Sequence, residues 1–170
     1  MTTHNTHLKW ILGIAIMITI LIVACNPYAP EVYHGPDEVL YRQADSLYNA
    51  SQYDLSAKNY TSLMQNYPSS SFYNASTYFA GRSYFKLGTQ TPLDTNSIND
   101  AIGLWAQIPH GSSYSEKACF YSAQGIHYKS QFETAVSAYL GCKKAYPRSD
   151  TLEINMNSYL ASKHILPGQL

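Results

Sequence analysis

The chain has 170 residues, a formal net charge of zero, 13% charged residues and 14% aromatic residues. That length suits one domain with a small core, and the aromatic content with so little charge excludes a disordered chain. Past residue 25, ten Lys and Arg stand against eleven Asp and Glu, which excludes a basic nucleic-acid binder or a polybasic membrane-surface protein. In chain order, residues 1–10 carry Lys9 with His4 and His7, and residues 11–24 are an almost purely apolar run of 14. At about 1.5 Å per residue that run spans about 21 Å, short of a hydrocarbon core of about 30 Å. It therefore predicts the apolar region of a secretory leader rather than a spanning helix.

Ile22-Val23-Ala24-Cys25 closes the run with a small residue before a cysteine. This is similar to the lipobox of bacterial lipoproteins. The resemblance implies a signal peptide over 1–24 and a covalent lipid on Cys25, with no other cofactor. Asn26 rather than aspartate follows the cysteine, which by the same resemblance implies the outer membrane. Residues 25–36 continue as NPYAPEVYHGP after Cys25, with three prolines and no periodicity, and read as an extended tether.

From residue 37 the apolar spacing becomes helical. Val39, Leu40, Ala44, Leu47 and Tyr48 predict a first helix, and residues 49–52 a turn. Leu55, Ala57, Tyr60, Leu63 and Met64 predict a second helix, which Tyr67-Pro68 ends because proline lacks an N–H and disfavours a helical residue before it. A second pair starts near Asn74, with Ala80-Gly81, Tyr84 and Leu87-Gly88 on its first helix. Residues 89–96 (TQTPLDTN) read as an insertion of turn formers. Ile98, Ala101, Ile102, Leu104, Trp105 and Ile108 then predict a helix about one turn shorter, ended at Pro109-His110-Gly111. A third pair spans 116–149, with small Ala123 and Ala135, fillers Phe132, Tyr139 and Cys142, and a closing Tyr146-Pro147. Asp150 is placed to cap a last helix over 151–164, bearing Leu152, Met156, Tyr159 and Leu160. Seven helices are expected in a domain over 37–165.

Small, aromatic and proline residues in this order at a period of 34 resemble the tetratricopeptide repeat. The third repeat (116–149) fits throughout, the first (37–70) has its small residue Ala57 one place late, and the second (74–113) fits in part. The resemblance implies an all-α right-handed superhelix of three tetratricopeptide-like helix-turn-helix repeats plus a C-terminal capping helix, which covers the last repeat's open face. With the lipobox and the Tyr-Pro-x-Ser helix ends, the chain looks most like outer-membrane lipoproteins of the barrel-assembly and Tol–Pal accessory type. That likeness implies a lipid-anchored scaffold on the periplasmic face, holding a protein or peptide partner of an envelope complex during assembly or export. Alternatives are a pilotin-like escort of a secretin or pilus subunit and a small-ligand or glycan-uptake receptor. No nucleic acid and no small-molecule substrate are expected.

In this family the first helices line a concave groove. The matching positions carry Tyr41, Tyr78 and Phe120 in one row and Tyr48, Phe85 and His127 in another. Between them stand Asp45, Arg82 and Gln124, then Asn49, Lys86 and Tyr128. Two aromatic rows around the basic pair Arg82 and Lys86 would suit a peptide bearing a carboxylate. The competing reading of each aromatic is a ring packed against neighbouring helices.

Nothing in the sequence has the pattern of a catalytic or metal site. His4, His7, His34, His110, His127 and His164 are scattered without ligand spacing, and no phosphate loop or nucleophile elbow is present. Asp37-Glu38 sit at a helix start, where the macrodipole accounts for them. An enzyme is therefore not expected. Cys119 and Cys142 should lie at one height on facing helices of the third repeat. An oxidising compartment would favour a disulfide between them. Packed helix axes about 8–10 Å apart favour instead two buried thiols filling core space.

Overall fold

The structure, a computed structural model, describes residues 35–149. The chain divides into two units, Met1–Tyr33 and His34–Leu170, and every described residue belongs to the second. The expected leader at 1–24, Cys25 and the capping helix at 151–164 lie outside the described residues. Among these residues there are six helices and no strand: α1 (Pro36–Asn49), α2 (Tyr53–Asn66), α3 (Tyr73–Gly88), α4 (Thr95–Trp105), α5 (Ser115–Tyr128) and α6 (Phe132–Ala145). The main contacts run between helices successive in the chain. The fold is thus an all-α superhelix of helix pairs, α1/α2, α3/α4 and α5/α6, as the sequence spacing predicts. None of these helices is long and apolar enough to cross a membrane.

Small residues decide how closely each pair crosses. In the third pair Ala123 and Ala135 are buried at the crossing. In the first pair the residue that matches Ala135 is Ser56, not the displaced Ala57. Ser56 is fully buried, its hydroxyl donates to the Ala44 carbonyl at 2.9 Å, and it meets the Ser83 hydroxyl at 3.1 Å. Serine is nearly as small as alanine, and these bonds remove the cost of burying its hydroxyl. Ser56 therefore fills the small-residue place that Ala57 misses. In the second pair Gly81 stands on the first helix where Ala44 and Ala123 stand in the others, and a Cβ there would stand 2.5 Å from Trp105 Nε1. The missing side chain lets the indole lie against the α3 backbone, where its N–H donates to the Tyr78 carbonyl at 3.1 Å.

Turn chemistry closes the pairs. Ser51 and Ser130 both sit at φ 60°, in the left-handed region. Gln52 N–H bonds the Leu47 carbonyl and Ser51 N–H the Tyr48 carbonyl. Gln131 and Ser130 repeat this arrangement on Ile126 and His127, so α1 and α5 end in the same Schellman motif. A serine at the end of each outer repeat also reaches back to its start: Ser70 Oγ donates to Asp37 Oδ2 at 2.6 Å, and Ser149 Oγ donates to Glu116 Oε1.

Two boundaries differ from the sequence reading. Pro36 is the first residue of α1, not the last of a tether, because its fixed φ suits the first helical position. The insertion ends at Asp94, since α4 already begins at Thr95. Asp94 is its N-cap, accepting from Asn96 N–H at 2.9 Å and from Ser97 Oγ at 2.6 Å. Asp, Thr and Asn signal a turn and a helix start equally well. At 11 residues, α4 is shorter than the 14 of α2 and α6.

Cys119 and Cys142 are joined as a disulfide, with Cα atoms 5.8 Å apart. The estimate from average helix spacing fails here because α5 and α6 meet through Ala123 and Ala135, so their backbones approach closely.

Candidate functional site

The helices that open the three pairs bring one charged group into an aromatic surround. Arg82 projects from α3, with its guanidinium carbon 4.2 Å from the Tyr121 ring centre and 6.0 Å from that of Tyr78. Arg82 Nη1 donates to Tyr78 Oη at 3.2 Å. Tyr48 of α1 is close enough for the Arg82 charge to pull its hydroxyl pKa back down. Tyr48, Tyr78 and Tyr121 come from α1, α3 and α5, so all three pairs meet at this one residue.

Its electrostatics are unusual. Burial disfavours the charged guanidinium, yet the Tyr121, Tyr78 and Tyr48 hydroxyls outweigh that and hold its pKa above the ordinary value. Burial in turn raises the pKa of Tyr48 and of Tyr78, although Arg82 opposes the rise in both. Desolvation also pushes Tyr41 up to about 12. The phenols thus stay protonated and available as donors. Arg82 makes no ion pair with a carboxylate among the described residues, where the ion pairs are Arg42–Glu38 and Lys58–Asp54. Its Nε is buried with no hydrogen-bond partner, and so is Gln124 Oε1. Gln124 lies one turn along α5 from Tyr121, on the same helix face.

The other residues expected in the groove divide by burial. Tyr78 is 3% exposed, Phe85 and Phe120 7%, and His127 8%, so these four are core rather than contact surface. Phe85 packs on Trp105 of α4, and Phe120 on Tyr139 of α6. His127 meets Phe132 edge-on at 4.8 Å, also toward α6. Tyr41 likewise packs on Tyr60 of α2 while remaining partly exposed. The aromatic rows recur because each repeat rebuilds the same contact between its own two helices. Recurrence alone does not separate that from a shared groove.

Lys86 is exposed, one turn along α3 from Arg82. Asp45 and Asn49 pair with each other at 3.4 Å on α1. Tyr128 is partly exposed and meets Phe85 at 5.5 Å. The sequence reading missed Tyr121 and Tyr114, the latter stacked on Tyr78 at 5.1 Å. The available signal was negative: the α3 neighbours of Arg82 at helical spacing are Tyr78 and Lys86, with no carboxylate to pair it.

A concavity of about 390 Å³ lies elsewhere, between Thr61 of α2, Tyr84 of α3, and Asn99, Asp100 and Gln107 on or just beyond α4. None of the expected groove residues lines it. No group of three or more His, Cys, Asp or Glu placed to hold a metal ion occurs among the described residues.

Residues 38–70 match the family model described as tetratricopeptide repeat. The match covers the first helix pair, whereas the residue pattern alone ranks the third highest. A search of curated proteins finds no match to the chain. Repeat and helix pairs together describe a tetratricopeptide-like protein, an architecture that commonly serves as a scaffold for protein–protein binding and typically is not enzymatic.

Proposed function

We propose that this protein is a lipid-anchored scaffold facing the periplasm, which holds a peptide segment or partner subunit during envelope assembly or protein export. The carrying observation is the meeting of α1, α3 and α5 at Arg82, a charged group ringed by aromatics and left without a carboxylate. A surface built from three repeats and offering large rings around one cation suits a protein segment better than a compact small molecule. The leader and Cys25 support the anchor. The Cys119–Cys142 disulfide supports an oxidising compartment, because cytosolic thiols are kept reduced.

Two experiments test the reading. Cys25→Ser should move the folded protein from the membrane fraction to the soluble fraction, and retention in the membrane would refute the anchor. Cross-linking from a photoreactive residue at Lys86, in intact cells, should trap one envelope protein in preference to its abundant neighbours. Trapping only random abundant proteins would refute the scaffold reading.

A further inference from the structure

We propose that the concavity between α2, α3 and α4 is a binding site for a neutral saccharide ring, separate from the Arg82 surround. This goes beyond the scaffold reading and does not depend on it.

The lining sets the class of ligand. The concavity holds about 390 Å³, within the range of about 300–1,000 Å³ usual for small-ligand sites. Asn99, Gly103 and Gln107 follow at four-residue spacing, so one polar stripe runs along α4 and just past its end. Leu104 is the one aliphatic side chain in the lining, so an apolar ligand would bury amides and a carboxylate without partners. Asp100 is the one charged group in the lining, and its carboxylate repels an anion. It makes no ion pair among the described residues. Lys58 and Lys129 are engaged elsewhere, by Asp54 and Asn99 at 2.7 Å each.

Hydrogen-bonding capacity separates a neutral ligand from a cation. Lys129 Nζ occupies Asn99 Oδ1, which leaves the Asn99 amide N–H groups as donors. Gln107 Nε2 donates to the Gly103 carbonyl at 3.2 Å, which leaves Gln107 Oε1 as an acceptor. Thr61 Oγ1 is buried with no partner, and a hydroxyl can both give and take. Donors and acceptors side by side suit ligand hydroxyls, which do both. An ammonium only donates and would leave Asn99 unmet. Neighbouring hydroxyls on a sugar ring can donate together to the oxygens of the Asp100 carboxylate. Tyr84, half-buried, adds a flat ring with a polar tip. Gly103 leaves the space open: nothing stands within 4 Å of a Cβ there, so a larger side chain would enter the concavity rather than the core.

The test is saturation-transfer NMR on the full-length protein, held in a detergent without sugar groups. The probes are the methyl glycosides of glucose, galactose, mannose and N-acetylglucosamine at millimolar concentration, with glucose 6-phosphate and protonated glucosamine as charged controls. Saturation of at least one neutral glycoside above both controls supports the proposal. Gly103→Leu, which fills the concavity with a good helix former, should abolish that signal without lowering the melting temperature. Asp100→Ala should weaken the Kd for that glycoside about tenfold. Asp100 is exposed and outside any ion pair, so this variant keeps the fold and decides the case even where Gly103→Leu melts lower. No signal from any neutral glycoside overturns the proposal, and so does a charged control that saturates as strongly. A signal that survives in a folded Gly103→Leu, or a Kd unmoved in Asp100→Ala, also overturns it. None of these outcomes bears on cross-linking from Lys86, so the scaffold reading stands or falls separately.

Discussion

Reduction of the Cys119–Cys142 bond should weaken the third repeat selectively. The bond links residues separated by 23 positions, and a loop of that size withholds about 3.4 kcal/mol of chain entropy from the unfolded state at 25 °C. The third repeat has few other large anchors: its buried cluster is Phe120, Ala123, Ala135, Tyr139 and Cys142, two of them alanines. Against a domain stability of about 5–15 kcal/mol, the loss is a large fraction. At about 3–5 °C per kcal/mol for a domain of this size, the melting temperature should fall by about 10–17 °C. Because solenoid stability is a sum of repeat and neighbour contributions, hydrogen exchange should accelerate first in α5 and α6 and least in α1 and α2. The assay is a thermal melt of the full chain with and without reductant, alongside the Cys119→Ala/Cys142→Ala variant. Reductant should have no effect on that variant. A shift under about 3 °C, or maleimide labelling of Cys119 or Cys142 in the unreduced native protein, would refute the reasoning.

Tyr78→Ala should cost about 3–5 kcal/mol, because its ring is 3% exposed and packed between Phe79 and Tyr114. This corrects the expectation that Tyr78 is a free contact residue, and a denaturant melt unchanged from the native protein would restore it. Gly81→Ala should destabilise by about 1–3 kcal/mol, since the new Cβ would meet the buried Trp105 indole at 2.5–2.9 Å, and a quenched or shifted Trp105 fluorescence should accompany the loss. Gly103→Ala and Gly141→Ala should each raise stability by about 0.5–1 kcal/mol, as both lie inside helices with nothing within 4 Å of a new Cβ. The hydrogen bond from Ser70 holds the Asp37 carboxyl below its ordinary 3.8, so its contribution to stability is present above that value and lost as pH falls through the lower folded value. In Ser70→Ala the Asp37 carboxyl resonance should titrate at higher pH than in the native protein.

The helix pairs were legible because their signals are local. Apolar spacing at Val39, Leu40, Ala44 and Leu47, or a Tyr-Pro ending at 67–68, acts within a few turns of one helix. Ser56 was harder, because a search for alanine overlooks a serine whose hydroxyl is satisfied by a carbonyl twelve residues earlier. The disulfide was harder still. Average helix spacing argues against it, and only the closeness that Ala123 and Ala135 permit makes it fit.

The site was least legible, for a reason that follows from how repeats are built. A repeat places the same residue type at the same position whether that position serves its own core or a surface shared with its neighbours. Tyr41 and Phe120 recur because α1 must pack on α2 and α5 on α6. Arg82 does not recur: Asp45 and Gln124 hold the corresponding places in the other repeats. A residue that breaks the repeat cannot be explained by the packing that the repeats share. Its surround, Tyr48, Tyr78 and Tyr121, comes from three helices far apart in sequence, so no spacing rule could assemble it. In a repeat protein the departures from the pattern are therefore where binding chemistry should be sought, and the recurring aromatics mark the frame that holds it in place.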